Sequence, residues 1–156
     1  VVVKVPEFKT LEEAKQFLRD NFENGATCPC CTQYVKLYKR KLTSGMAVAL
    51  IRLYRLSKRQ TNKYIHITKL GHLNGGEFAQ LERWGLIRQD DNTDEKKKNS
   101  GMWSITLDGC LFVEGFKEVP SHAMTYDGKT IKFTNKKINI RAALGSKFDY
   151  KELMSK

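Results

Sequence analysis

Three of the four cysteines stand within four residues, in the stretch Gly25-Ala26-Thr27-Cys28-Pro29-Cys30-Cys31-Thr32. Thiolates three apart in a Pro- and Gly-containing turn can grip one metal ion or exchange with a disulfide. The crowding does not suit the spaced disulfide framework of a small secreted domain. A structural zinc site needs four ligands, and no second Cys-x-x-Cys pair exists. Cys30, Cys110, His66, His72 and His122 are the supplements, none at a familiar second-pair spacing. Cys28 and Cys31 are therefore the candidate metal ligands and zinc the cofactor they would take. The bland alternative is a turn whose cysteines act as small hydrophobes. A redox role needs a strand-to-helix setting, whereas the flanks here read as a hairpin.

Charge supplies a second chemistry. The 156 residues carry net charge +11, from 28 Lys and Arg against 17 Asp and Glu. No acidic residue occurs from Asn24 to Gly76, a window holding Lys36, Lys39, Arg40, Lys41, Arg52, Arg55, Lys58, Arg59, Lys63 and Lys69. The rest of the chain is close to neutral. Such a localised positive field attracts polyanions, nucleic acid first among them, although a solubilising surface or a face for an acidic protein has the same composition. Within it, Tyr34, Lys36, Tyr38 and Arg40 fall on one side of an extended chain and Val35 and Leu37 on the other. Rings and amines so placed can meet bases and phosphates, or simply form the outside of an edge strand.

Catalytic patterns are missing. There is no Gly-x-x-x-x-Gly-Lys, Gly-x-Gly-x-x-Gly, Gly-x-Ser-x-Gly or His-Glu-x-x-His. Asp90-Asp91 and Asp94-Glu95 sit in a lysine-rich stretch and read as a solvated loop. The chain is expected to be non-catalytic. Apolar residues at 40% support a packed core. No apolar run approaches the roughly 20 residues of a membrane span. A cytoplasmic protein with no membrane partner is expected.

The elements that would position these groups follow from caps and periodicity. Thr10 with Glu13 opens a helix that Asn24-Gly25 ends. Thr43-Ser44 caps a second helix, Gly45 to about Lys58, with Met46, Leu50, Leu53 and Tyr54 on its apolar face and Arg52, Arg55 and Arg59 as a solvated basic stripe opposite. Tyr64 to Gly71, rich in β-branched residues, has room for a turn or a short strand only. Asn74 with Glu77 starts a helix whose Phe78, Leu81 and Trp84 share a face and which stops at Gly85. Leu86-Ile87 begins a strand, a charged loop spans 93–100, and Trp103, Ile105 and Leu107 alternate as a second strand. Asp108-Gly109 turns the chain into a helix from Cys110 to Gly115. Asp127-Gly128 sets a hairpin over 124–133, Ile138 and Ile140 suggest a third strand, and Asp149 with Glu152 caps a last short helix. The expected class is α+β, in three parts: an N-terminal helix, Cys-rich turn and basic extended segment (1–42), a central domain (43–119), and a β-hairpin with a short helix as an appendage (120–156).

The pattern Leu81-x-x-Trp84-Gly85-Leu86-Ile87, then Trp103-x-Ile105-Thr106-x-x-Gly109, resembles the recognition helix and wing of MarR-type winged helix-turn-helix proteins. In that family a strand ending in Ile-Thr precedes a glycine and another helix. Cys28-Pro29-Cys30-Cys31 is similar to one knuckle of a zinc ribbon. The winged-helix resemblance implies duplex DNA as partner. Its first turn would approach the major groove with Asn74 and Gln80 as base readers, and its wing would lay Lys96, Lys97 and Lys98 along the backbone. Arg52, Arg55, Lys58, Arg59, Lys63 and Lys69 would meet phosphates. A regulator or accessory factor is implied, as monomer or dimer. The other class is a protein-interaction adaptor or inhibitor that binds an acidic partner, in the style of small basic phage host-takeover proteins.

Overall fold

The computed structural model describes residues 7–8, 10–71, 75–91, 93–96 and 100–155. The expected α+β class is observed. The described elements, in chain order, are α1 (Leu11–Asn21), β1 (Ala26–Thr27), β2 (Tyr34–Val35), β3 (Tyr38–Lys41), α2 (Ser44–Ser57) and β4 (Ile65–His66). A 3-10 turn (Ile67–Leu70) leads to α3 (Gly75–Ala79), which continues as a second 3-10 turn (Gln80–Trp84). Then come β5 (Ile87–Gln89), β6 (Met102–Ile105), α4 (Leu107–Glu114), β7 (Val119–Pro120), β8 (His122–Tyr126), β9 (Lys129–Phe133), β10 (Lys137–Ile138), α5 (Ile140–Leu144) and α6 (Tyr150–Ser155). No described helix is long and apolar enough to cross a membrane.

Two compact units form, one from 1–40 with 124–132, the other from 41–123 with 133–156. In the first, Thr10 Oγ1 accepts from Glu13 N at 3.2 Å and starts α1 as its capping residues require. β1 pairs antiparallel with β2, Ala26 opposite Val35. Asp127 (φ 51°) and Gly128 (φ 72°) both take the left-handed conformation of a tight hairpin turn between β8 and β9. The hairpin does not stand alone, because β8 also pairs with β3.

The second unit is built around α2, whose Met46, Ala47, Val48, Ala49, Leu50, Ile51 and Leu53 are all buried. Thr43 Oγ1 accepts from Met46 N (3.3 Å), and Lys58 closes the helix in a left-handed conformation (φ 52°), with Arg59 left-handed after it (φ 66°). Neither is glycine, so each position carries strain of about 1–3 kcal/mol that the surroundings must hold. The sheet order β4-β6-β5 places Ile65 opposite Trp103 and Ile87 opposite Ile105. Phe78 meets Trp103 edge to face, centroids 5.6 Å apart.

The two halves of the sequence pattern, Gly85-Leu86 and Thr106-x-x-Gly109, form one joint. Thr106 Oγ1 donates to the Gly85 carbonyl (2.6 Å), Thr106 N donates to the Leu86 carbonyl (3.1 Å), and Gly109 N donates to Thr106 Oγ1 (3.0 Å). A Cβ on Gly109 would lie 2.2 Å from the Leu86 carbonyl oxygen, so the glycine is there for close approach rather than for its φ.

Three local expectations are corrected and a fourth holds. Helix α4 starts at Leu107 rather than Cys110, since the Thr106 hydroxyl caps it, and the preceding strand ends at Ile105. Ile140 opens α5 instead of extending a strand, because Asn139 Oδ1 accepts from Ala142 N at 2.8 Å. Of the helix expected over 74–84, the described part is α-helical from Gly75 to Ala79 and tightens to 3-10 from Gln80 to Trp84. Tyr64–Gly71 holds a two-residue strand and a 3-10 turn, as its length dictated.

Candidate nucleic-acid interface

Lys58, Lys63 and Lys69 are exposed in the second unit, but the arginines of α2 are not a free stripe. Arg52 Nη1 donates to the Leu70 carbonyl (2.9 Å) at the end of the first 3-10 turn, and Arg55 Nη1 donates to the Leu153 carbonyl (3.2 Å). Arg59, just past the end of α2, forks onto Glu114 (Nε to Oε2 2.8 Å, Nη2 to Oε1 3.2 Å). The stripe stays in contact with solvent, Arg52 and Arg59 exposed and Arg55 half-buried, but long-range acceptors engage all three: one nitrogen each of Arg52 and Arg55, two of Arg59. Arg52 and Arg55 keep further N–H groups, since a guanidinium has five. With Lys69, Ile51, Leu56 and Leu153 they line a cavity of about 420 Å³. Lys63 Nζ donates to the Leu56 carbonyl (3.2 Å).

Base readers are scarce. Asn74, Lys97 and Lys98 lie outside the described residues. Gln80 accepts from Arg83 Nε and donates to the Gly76 carbonyl (3.4 Å), so its amide is largely spent on its own helix. Glu77 accepts a hydrogen bond from the Thr43 hydroxyl, which ties its charge to the cap of α2. Lys96 is exposed, its backbone amide donating to Asp94 Oδ1 at 3.0 Å. Among the described residues Arg59 is the one member of the acid-free window in a salt bridge. The other nine cations face no carboxylate partner there.

No protein-family model, curated protein or solved structure matches the chain.

The Cys-rich stretch is the loop of the β1–β2 hairpin, as its flanks implied. Cys28 N donates to the Gln33 carbonyl (2.8 Å) and Thr32 N to the Cys28 carbonyl (2.9 Å), with Thr32 left-handed at φ 66°. All four cysteines are free: Cys30 and Cys31 exposed, Cys28 partly so, Cys110 buried. Backbone hydrogen bonds from Cys31 and then Cys30 hold the Cys28 thiol below its usual range, whereas burial pushes Cys110 up. No group of three or more His, Cys, Asp or Glu among the described residues is placed to hold a metal ion. The described donor set therefore does not assemble a zinc site around Cys28 and Cys31. A thiol reagent should label Cys28, Cys30 and Cys31 in native protein and reach Cys110 only on unfolding. Labelling of Cys110 at the rate of the others in native protein would refute its burial.

Sequence patterning missed a polar cluster because its members are distant in the chain. Tyr54 Oη donates to Glu114 Oε2 (2.9 Å) beside the Arg59 fork. The Arg59 hydrogen bond holds the Glu114 carboxyl below the ordinary carboxylate range. Burial, then the Glu114 hydrogen bond, pushes the Tyr54 phenol up to about 12. Glu114, lowered on folding, contributes stability that is present above its unfolded pKa and is lost as pH falls through the lowered one. Tyr54, raised on folding, contributes stability that is full below its ordinary 10.0 and is lost as pH rises toward about 12. Urea unfolding across pH should show both arms, and Glu114→Gln should flatten the acid arm. An acid arm identical in wild type and variant would remove Glu114 from the account.

Proposed function

We propose that this chain is a non-catalytic nucleic-acid-binding protein of winged-helix type, a regulator or accessory factor that takes duplex DNA mainly by its phosphates. The observation that carries this reading is the unneutralised window: nine of its ten cations have no carboxylate partner among the described residues. A buried or paired set would serve the fold, whereas an open one raises the local concentration of polyanions. The element order supports the winged-helix part: α2, β4, a turn, α3, β5, a charged loop, β6 and α4, with β6 central in its sheet. Lys58, Lys63, Lys69 and Lys96, together with the spare N–H groups of Arg52 and Arg55, are the phosphate contacts. With Gln80 engaged on its own helix, sequence discrimination is weak and backbone affinity dominates.

The test is binding of a fluorescent duplex across a salt series. Log affinity should fall linearly with log salt, with a slope of about 0.9 per neutralised phosphate, and unrelated sequences should bind alike. Absence of duplex binding at about 50 mM salt, where counterion release is most favourable, would overturn the proposal and leave an acidic protein as the partner for the window.

A further inference from the structure

The first unit holds a surface that the duplex proposal does not use. Along residues 34–40, Val35 and Leu37 are 8% and 3% exposed, whereas Tyr34 and Tyr38 are 58% and 50% exposed. The chain is pinned where it carries them. Tyr34 is paired with Thr27, Leu37 N donates to the Phe22 carbonyl (2.9 Å), and the Tyr38 carbonyl accepts from Thr125 Oγ1 (3.4 Å). The Tyr34 ring lies across Gly25, in space that a side chain at that residue would fill. Lys36 Nζ and the Arg40 guanidinium stand 6.0 and 5.8 Å from the Tyr38 ring centroid. Neither is in a salt bridge among the described residues.

Guarding an edge strand against pairing explains the lysines but not the tyrosines, since charge alone suffices for it and each exposed ring adds apolar area. Two ring surfaces on an anchored backbone, flanked by unpaired cations, have the chemistry of base stacking with phosphate contact. We propose that Tyr34, Lys36, Tyr38 and Arg40 form a binding strip for single-stranded nucleic acid, tolerant of base identity. Unstacked bases present the π-faces such rings need, and a duplex keeps its bases stacked on one another. The strip is a second surface and stands or falls separately from the duplex site.

The experiment measures anisotropy of a fluorescent oligothymidylate and of a duplex with the 156-residue wild-type chain, Tyr38→Ala, Tyr38→Phe and Tyr34→Ala/Tyr38→Ala. Tyr38→Ala should weaken single-strand binding by about 5-fold or more, the double variant further, and Tyr38→Phe should restore it, because stacking needs the ring and not the hydroxyl. Duplex affinity should not move. Wild type that binds oligothymidylate but no duplex would sink the duplex reading and keep this one. The strip is overturned if oligothymidylate is not bound at about 50 mM salt. It is overturned equally by tyrosine variants, folded by circular dichroism, that keep wild-type affinity or lose single-strand and duplex binding in equal measure.

Discussion

Trp84→Ala is expected to lower the unfolding free energy by about 3–5 kcal/mol, the range for a large aromatic removed from a core. Trp84 is 9% exposed, lies 6.0 Å from the Phe133 ring centroid, and donates its Nε1 proton to the Pro120 carbonyl at 2.7 Å. Alanine therefore removes packing and also leaves that carbonyl without its partner, two costs that act together. For a chain of this size each kcal/mol corresponds to about 2–4 °C in melting temperature, so the loss is easily read by urea or thermal unfolding. Trp84→Phe keeps most of the ring and loses the hydrogen bond, and should fall between. Gly109→Ala tests the neighbouring joint: its methyl would press on the Leu86 carbonyl and the Ile105 side chain, an overpacking cost of about 1–3 kcal/mol. Gly85, left-handed but with open space around it, should be damaged through its backbone conformation alone. A Trp84→Ala protein with the wild-type midpoint would show that the helix–strand joint is not built as described.

Reversing Lys58, Lys69 and Lys96 to glutamate should flatten the log-affinity versus log-salt slope for duplex DNA by about 3, close to 0.9 for each phosphate no longer neutralised. These three are chosen because no described interaction holds their amines. The arginines of α2 are poor choices for the same test. Arg52→Glu would remove the donor on the Leu70 carbonyl and set a carboxylate against it, so weaker binding would not be separable from local unfolding. The effect should be equal on unrelated duplexes, since backbone contacts carry no sequence information. Urea midpoints close to wild type would show that binding alone was altered. An unchanged slope in the folded triple variant would dissociate the window from phosphate and leave an acidic protein as its partner.

Neighbouring residues settled much of the local structure. Thr10 and Thr43 announce their helices because a hydroxyl satisfies an amide three residues on, a bond that needs no tertiary partner. Asp127-Gly128 and Gly85 announce a turn and a stop because the required left-handed φ is a property of the residues themselves. The shortness of Tyr64–Gly71 was likewise a matter of counting. The same reasoning misplaced the start of α4 and the role of Ile140, where a polar cap competed with a plausible apolar alternation and the cap prevailed.

The apolar content, the capped helix starts, the hairpin and the acid-free window are legible in the chain, since each depends on composition or on residues a few positions apart. Which of those cations are held by distant acceptors became visible only in the folded molecule. Arg52, Arg55 and Arg59 look equivalent at helical spacing, yet their acceptors lie at Leu70, Leu153 and Glu114. Gly109 looks like a turn residue until the Leu86 carbonyl is placed against it. Periodicity reports which side of a helix is apolar. It does not report which distant carbonyl or carboxylate will arrive over the other side, because that depends on how the second unit closes around α2.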